Sequence, residues 1–369
     1  MRTLQFILQK EFIQLFRNKV MVRIIFIIPF VQMLILAYTA TFEIKTVRLH
    51  VADLDRTKTS RDLAGHFSGS PFYKIVAYSH SEKLSQDDIL KNRAHQVLTI
   101  PEGFEKDLLT SGNAKVQIVT NAIDGAAAAL MNAYTLSIIQ DFNINLLVES
   151  TGIQAEEPIK TTRSFWFNPE LNYINYMVPG ILVLLVTIIG MFMSGMNLVK
   201  EKETGTIEQI NVTPIRKYQF IIGKLLPYWI VGLVELAFGL VLAKLIFDIP
   251  IVGNVWLIFL VAAAYLLVTL AMALFVSTKT NTQQQAMFLS WFFLVVFILM
   301  SGLFTPVDSM PRWAKVINTI NPVAYFIEVI RMIMLKGSGF TDILRNLVIL
   351  TVYGIFALWV AVWQYRKTT

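Results

Sequence analysis

The chain has 369 residues, of which 55% are hydrophobic and 15% charged, with a formal net charge of +7 and no cysteine. Soluble domains carry nearer a quarter of charged residues, so this balance indicates a membrane protein. The lack of cysteine excludes disulfides, thiol nucleophiles and cysteine-ligated zinc or iron–sulfur clusters.

The positive charge indicates membrane topology and not a nucleic-acid site, because the basic residues lie mainly at the ends of apolar runs. Before the first run, the single acid Glu11 is outnumbered by Arg2, Lys10, Arg17, Lys19 and Arg23. The positive-inside rule therefore predicts a cytoplasmic N-terminus.

Residues 1–21 carry Leu4, Ile7, Leu8, Phe12 and Leu15 along one helical face. This pattern predicts an amphipathic helix in the cytoplasmic interface, although Glu11 falls on its apolar face.

Six apolar runs are long enough to cross the hydrocarbon core, which takes about 18 to 25 residues. They are residues 22–42, 174–198, 220–247, 255–276, 286–304 and 347–363. The first run is longer than a signal-peptide core and lacks a clear cleavage site, so it is predicted to be a retained anchor. An even number of crossings returns the C-terminus to the cytoplasm, and Arg366 and Lys367 agree with that side. We expect a multi-pass membrane protein with both termini in the cytoplasm.

Residues 43–171, between the first two runs, have the composition of a soluble domain and are predicted to lie outside the cytoplasm. The stretches VRLHVADLD, HQVLTIP and KVQIVTN are typical of strands. SRDLAGHFSG and PEGFEKDLLTSG are typical of helices that end at glycine, and a long helix is predicted from Asp124. His50, His66, His80 and His95 show no metal-ligand spacing and are expected to be exposed or locally bonded. The predicted fold is a membrane all-α bundle of six transmembrane helices with an inserted extracytoplasmic mixed α/β domain.

The remaining part, residues 172–369, holds five further predicted spans. Within it, residues 305–345 mix prolines, charges and apolar runs that are too interrupted to span. This pattern predicts amphipathic or re-entrant helices at the outer interface.

A charged stretch follows the second run, VKEKETGTIEQINVTP (199–214). Glutamate and lysine favour a helix there, Gly205 permits a tight turn, and Pro214 ends the segment. Periodicity alone is also compatible with a solvated cytoplasmic loop that has some helix.

The stretch resembles the cytoplasmic coupling segment of type-2 ATP-binding-cassette (ABC) exporter permeases, with its Lys/Arg-Glu-Lys-Glu-x-Gly-Thr-x-Glu-Gln run and later Thr-Pro pair. A second stretch, SGLFTPVDSMPRWAKVINTINPVAYFIEVIRMIMLKG (301–337), resembles that family's region after the fifth span. The residues that carry this second match are Pro306, Pro311, Asn321, Pro322 and Arg331. The plan of one span, a large external domain and five further spans also fits.

The resemblance implies that the coupling segment, residues 199–217, docks on an ABC ATPase subunit and passes its closure to the spans. The coupling residues expected on that basis are Glu201, Glu203, Gly205, Thr206, Glu208, Thr213 and Pro214. No G-x-x-x-x-G-K-[ST] motif occurs in the sequence, so ATP is expected on the ATPase, with no cofactor bound by this chain. The other expected partner is a second permease copy or a paralogue. A periplasmic adaptor protein is a further candidate partner.

Glu235 lies in the middle of the third run, within YWIVGLVELAFGLVLAKLIF. An ionisable group at that depth costs about 2.5 kcal/mol or more on insertion, so it should face the bundle interior, a partner or water. Two interpretations stay open: a functional group of the pathway, or a neutral carboxyl bonded to a neighbouring backbone, Asn197 or Ser194. Lys224 and Lys244, towards opposite ends of this run, are predicted to snorkel to the interfaces.

These features predict a transmembrane permease subunit that exports a drug, lipid or other amphiphile, non-catalytic by itself. The alternative is a membrane-anchored surface receptor or sensor whose extracytoplasmic domain binds a ligand. The coupling stretch favours the exporter, because a receptor needs no segment that docks an ATPase.

Overall fold

The computed structural model describes residues 2–39, 46–123, 125–151, 166–168, 172–206 and 215–364. Two compact units make up the chain, one formed by Met1–Thr41 with Ser164–Thr369 and the other by Phe42–Arg163. We call them the helical unit and the α/β unit.

The α/β unit alternates strands and helices in chain order. Its elements are β1 (Val47–Asp53), α3 (Lys58–Gly69), β2 (Tyr73–Ser79), α4 (Glu82–Leu90), β3 (Gln96–Ile100), α5 (Phe104–Ser111), β4 (Gln117–Thr120) and α6 (Gly125–Thr151). The predicted mixed α/β character of this region is therefore observed. Strand β2 and helix α4 were not predicted from the sequence.

The four strands form one sheet in the order β2-β1-β3-β4. Strand β1 pairs in parallel with β2 and β3, whereas β3 and β4 are antiparallel. Nearly every residue of the two central strands is buried, while the edge strands alternate mainly between half-buried and exposed positions. The core of this unit packs the sheet against α3 and α6, through Leu49, Leu98, Leu63, Phe67, Met131 and Phe142.

The helical unit begins with α1 (Arg2–Arg17) and α2 (Lys19–Thr39). Its other helices are α7 (Tyr173–Glu203), α8 (Lys217–Phe247), α9 (Val255–Lys279), α10 (Gln283–Met300), α11 (Arg312–Asn318), α12 (Pro322–Lys336) and α13 (Phe340–Gln364). Five of the described helices, α7, α8, α9, α10 and α13, are long and apolar enough to cross a membrane. They overlap the second to sixth apolar runs of the sequence.

The first predicted crossing, residues 22–42, is not among these five helices. The apolar part of α2 that the structure describes, Ile25–Tyr38, is shorter than the other candidates. Helices α11 and α12 together pass the same test but are bent by 83°, as in a broken span or a re-entrant loop. The described helices thus offer five crossings, or six if the bent pair is counted as one, and the predicted topology of six remains a prediction.

Helix α7 lies at the centre of the helical unit, and its residues Met177–Thr187 are all buried. A helix that is apolar all round is expected in such a position. One turn of it, Ile188–Met193, is π-helical, a feature that often marks functional sites. This turn packs against α9, and a Cβ atom at Gly190 would overlap with Thr269. Glycine therefore permits the close approach of the two helices there.

Candidate functional site

The predicted coupling segment begins with the last turn of α7, which ends as its sequence indicates. The backbone N–H groups of Thr204 and Gly205 donate to the carbonyls of Lys200 and Lys202, at 3.0 and 3.1 Å. Gly205 has a φ of +71°, in the left-handed region that favours glycine at the end of a helix. The turn predicted at Gly205 is therefore observed.

Glu201, in this last turn, points into the protein and not towards solvent. Its Oε1 atom accepts from Lys224 Nζ at 2.5 Å and from Lys10 Nζ at 3.1 Å. The hydroxyl of Thr206 donates to the other carboxylate oxygen. Glu201 and Thr206, both predicted coupling residues, are thus in direct contact.

Glu201 belongs to a group of two lysines and two glutamates. Lys224 Nζ also lies 2.7 Å from Glu11 Oε1, and Lys10 lies 3.1 Å from the same oxygen. The side chains of Lys224, Glu11 and Glu201 are only 1%, 2% and 8% exposed. Burial opposes protonation of Lys10, but the carboxylates of Glu11 and Glu201 raise its pKa above the ordinary value. We call Lys10, Glu11, Glu201 and Lys224 the ion cluster, and it joins α1, α7 and α8.

The ion cluster corrects the prediction for Lys224. This side chain does not snorkel, because it is buried between two carboxylates. The same contact explains why an acid lies on the apolar face of α1, because Glu11 faces Lys224 from there. Gly223 allows α1 to approach α8 closely, because a Cβ there would overlap with Ile7.

The two residues after Glu201 bind two further helices. Lys202 Nζ donates to the backbone carbonyls of Ser277 and Thr280, the latter at 3.3 Å, where α9 ends. Glu203 Oε2 accepts from the backbone N–H and Nε2 of Gln283 at 3.0 and 2.8 Å, where α10 begins. Three consecutive side chains at the end of α7 therefore contact α1, α8, α9 and α10.

Glu235 is buried in α8, as expected for an acid at that depth, with 2% of the residue exposed. Its Oε2 atom has no hydrogen-bond partner among the described residues. The expected alternative partners are engaged elsewhere, since Ser194 donates to the Gly190 carbonyl and Asn197 to Glu11. Neither Ser194 nor Asn197 therefore bonds to Oε2 in the structure, and both interpretations of Glu235 remain predictions.

The residues predicted in the outer segment shape the bent helix pair. Pro306 and Pro311 precede a short 3-10 turn, Val307–Ser309, and helix α11. The side chain of Asn321 caps α12 by accepting from the Val323 N–H at 3.1 Å, and it donates to the Phe297 carbonyl at 2.8 Å. Pro322 occupies the first turn of α12, where its missing N–H costs nothing. Arg331 donates to the carbonyls of Tyr176 and Gly302.

Three predicted coupling residues, Glu208, Thr213 and Pro214, lie outside the residues that the structure describes. Their roles remain predictions.

Comparison with known proteins decides the family. The family model described as "ABC-2 family transporter protein" matches residues 19–363, which is nearly the whole chain. The chain belongs to the ABC-2 family of transporter proteins.

Several ABC-2 relatives align along most of the chain. The probable multidrug ABC transporter permease YbhR of Escherichia coli K12 is 27% identical over 341 residues, 92% of this chain and 91% of its own length. The probable multidrug ABC transporter permease YbhS of the same organism is 25% identical over 335 residues, covering 89% and 87%. ABC transporter G family member 20 of Dictyostelium discoideum is 25% identical over 362 residues, which are 96% of this chain and 49% of that protein.

Membership of the ABC-2 family confirms the resemblance and the permease function expected from the sequence. The chain is a multi-pass membrane permease of the ABC class, and the family implies an ABC ATPase as its partner. Nothing in these comparisons favours the receptor alternative.

Sequence reasoning missed the part of the site that lies outside the ABC-2 coupling motif. Lys10, Glu11 and Lys224 complete the ion cluster, and Lys202 binds α9. The only sequence signals were two misplaced charges, an acid on the apolar face of α1 and a lysine within an apolar run. Each is costly alone, which suggests that the two are partners.

Proposed function

We propose that this permease exports an amphiphilic substrate, such as a drug or a lipid, across the bacterial inner membrane with energy from a separate ATPase. The relatives named multidrug permeases support export of this kind of compound. The absence of a phosphate-binding G-x-x-x-x-G-K-[ST] motif supports the assignment of ATP to the ATPase chain and of no cofactor to this one.

One observation carries the mechanism: the end of α7 is tied through Glu201, Lys202 and Glu203 to four other helices. Glu201 and Lys224 are expected to move together, because breaking their buried ion pair would leave an uncompensated charge. When the ATPase displaces residues 204–217, α1, α8, α9 and α10 move with α7. Glu201 then acts inside the permease, as a relay, while the exposed residues Glu203 and Gly205 face the ATPase.

The topology of the proposal follows the distribution of basic residues. Both termini and the coupling segment lie in the cytoplasm, and the α/β unit lies outside it. The α/β unit is then available to a periplasmic adaptor protein. The transport unit is a dimer of this chain with a second copy or a paralogue, in keeping with the family resemblance.

The docking step is tested by charge reversal on the exposed side of the coupling segment. We expect Glu203→Lys to lose the ABC ATPase that co-purifies with the wild-type permease from native membranes, since it opposes the charge of a docked partner. Glu203→Gln is the matched control, because its side-chain oxygen still accepts from Gln283. Asp248→Lys, at the exposed opposite end of α8, controls for a change of net charge.

The measurements are recovery of the ATPase on the tagged permease and substrate-stimulated ATP hydrolysis in vesicles. Loss of both in Glu203→Lys alone supports docking at the coupling segment. Wild-type recovery and hydrolysis in Glu203→Lys would remove this segment as the docking site. If no ATPase co-purifies with the wild-type chain, the exporter proposal itself fails.

A further inference from the structure

The helical unit contains a cavity of 790 Å³ beside the bent helix pair. Its walls come from the start of α7, the α10–α11 connection, α11 and α12. Sites for small molecules have volumes of about 300 to 1,000 Å³. The cavity therefore has the size of a binding site, and the ion cluster and Glu235 are not part of it.

Arg331 is the cation at the inner wall of this cavity. Its Nε and Nη1 donate to the carbonyls of Tyr176 and Gly302 at 3.2 and 3.0 Å. Its guanidinium carbon lies 3.6 Å from the centre of the Tyr176 ring. These three contacts hold the guanidinium plane in one orientation, which is the arrangement that suits recognition of an anion.

The remaining nitrogen of Arg331, Nη2, is buried and has no hydrogen-bond partner in the part of the chain that the structure describes. Within the described residues no carboxylate lies within ion-pair distance of the guanidinium. A buried donor of this kind is rare in folded proteins and calls for a partner, particularly when it carries charge. The guanidinium therefore has no anionic counter-charge among the described residues, and an anion in the cavity that Arg331 lines supplies one.

The other charges of the cavity do not neutralise Arg331. Lys315 and Lys336 add positive charge, with the Lys315 ammonium donating to the backbone carbonyl of Asp308. The acids are Asp308 and Glu328, and Glu328 accepts from Asn346 at 3.2 Å. Three cations thus face two carboxylates, and the sign favours an anionic ligand.

Apolar side chains continue the wall away from Arg331. Ile327, Met332 and Leu335 line the cavity along α12, and Tyr325 adds an aromatic ring. A flexible methionine suits apolar groups of varied shape. The lining therefore pairs one fixed cation with an apolar surface.

We propose that this cavity binds an anionic amphiphile, with its phosphate or carboxylate beside the Arg331 guanidinium and its apolar part along α12. The inference rests on the proposed function, since it gives the exported amphiphile a chemical class and a site. Binding itself requires neither the ATPase nor a direction of transport, so it is tested separately.

The test uses the full-length permease, purified in an uncharged detergent, and two fluorescent probes. One is a dansyl-labelled alkyl phosphate, and the other is a dansyl-labelled alkyl trimethylammonium of the same chain length. Wild type is expected to bind the phosphate probe saturably and more tightly than the cationic one. Inorganic phosphate is expected to compete only at much higher concentration, because it lacks the apolar part.

Arg331→Gln is expected to weaken binding of the phosphate probe by about tenfold to a hundredfold, the usual range for one charge-assisted hydrogen bond. Arg312→Gln is the matched control, since Arg312 is exposed on α11 and does not line the cavity. Ala324→Phe places a larger side chain in the cavity and leaves Arg331 itself unchanged, and it is expected to weaken binding as well. This variant decides the question if Arg331→Gln is not monodisperse.

Equal affinity of wild type for the phosphate and the trimethylammonium probes would contradict the proposal that the ligand is anionic. Wild-type affinity in Ala324→Phe would overturn the site. If inorganic phosphate competes at the same concentration as the alkyl phosphate, the apolar part of the ligand does not contribute to binding. That result would contradict an amphiphilic ligand and indicate a simple anion site. Intact, selective binding without ATP-driven transport of the probe would instead count against the proposed function.

Discussion

Lys224 of α8 and Glu201 at the end of α7 form a buried ion pair, with Nζ and Oε1 2.5 Å apart. Glu11 of α1 completes the arrangement from the other side of the ammonium. Charges removed from water are costly, and only their mutual contacts compensate. The ion cluster therefore holds α1, α7 and α8 in one register at the point where the coupling segment begins.

The first prediction concerns this cluster. Lys224→Met is expected to lower the free energy of unfolding by about 3–5 kcal/mol, because it leaves two buried carboxylates without their shared cation. Lys244→Met removes an exposed lysine from the other half of α8, where it pairs with the exposed Asp248, and is expected to leave stability unchanged. Thermal unfolding of the purified variants measures both.

A double substitution shows whether the effect arises from the pair. Glu201→Gln is expected to cost less in the Lys224→Met background than in wild type, because residues in direct contact are not additive. Additive losses would mean that Lys224 and Glu201 act independently and that the relay through the ion cluster is wrong.

The second prediction concerns Glu235, whose Oε2 atom is buried and has no hydrogen bond to any residue that the structure describes. Glu235→Met is expected to raise the free energy of unfolding by about 1–3 kcal/mol, since it removes an unsatisfied polar group at similar volume. If the acid serves the transport pathway, the same variant transports less substrate into vesicles. A protein that retains a destabilising acid in its core commonly does so for function.

Glu235→Gln separates charge from polarity. It is expected to lose transport if the pathway requires ionisation, and to keep it if a hydrogen-bonding group suffices. Normal transport by both the Gln and the Met variants would remove Glu235 from the functional residues.

The apolar runs predicted the helices of this chain well, because only a helix satisfies its own backbone in lipid. Local pattern was less informative in the α/β unit. Strand β2 is an edge strand with partly exposed alternate residues, and α4 has few apolar side chains, so neither has a strong periodic signal. Their structure depends on contacts with β1 and β3, which a local pattern does not show.

The candidate site shows the same division between local and tertiary information. The helix ending at Gly205 was predictable, since glutamates and lysines followed by glycine form a local signal. The contacts of Glu201 were not, because they depend on how α1 and α8 pack against α7. Position within an apolar run predicted snorkelling for Lys224, whereas the structure gives it two carboxylate partners. The π-helical turn in α7 had no sequence signal that we recognised.

The third prediction is a pH dependence in the α/β unit. Both ring nitrogens of His95 face donors of Arg48, with Nε2 2.9 Å from Nη2. Burial and the positive charge of Arg48 lower the pKa of His95 below its ordinary value. The unfolded chain then binds the proton first as pH falls, so this contact stabilises the unit above about pH 6.5 and loses that contribution below it.

Hydrogen exchange by mass spectrometry checks this pH dependence in the full-length protein. Peptides that cover β1 and β3 are expected to lose protection in wild type between about pH 7.5 and about pH 5.5 relative to His95→Gln, which cannot titrate. Comparing the two proteins at each pH cancels the intrinsic pH dependence of exchange. His66→Gln, on α3, is the control and is expected to behave like wild type. An identical pH profile for His95→Gln and wild type would exclude His95 as the titrating group.

The last prediction concerns the contact between the π-helical turn of α7 and α9. A Cβ atom at Gly190 would overlap with Oγ1 of Thr269 and lie 3.1 Å from Leu266 Cδ2. Gly190→Ala is therefore expected to destabilise the protein by about 1–3 kcal/mol through overpacking, even though alanine favours helix. Gly195→Ala is the matched control on the same helix, because its Cβ meets nothing nearer than 3.6 Å. It is expected to be neutral or slightly stabilising.

A second substitution shows whether the overlap is the cause. Thr269→Ala removes the overlapping oxygen and is expected to restore part of the stability lost in Gly190→Ala, as a smaller residue on one helix makes room for a larger one on the other. Thermal unfolding of the four proteins gives the interaction energy. Because α7 contributes Glu201 to the ion cluster eleven residues further on, the Gly190→Ala variant is also expected to show less substrate-stimulated ATP hydrolysis in the presence of the ATPase. Equal stability of Gly190→Ala and Gly195→Ala would show that α7 and α9 can separate at this turn without cost, and that their close packing is not required.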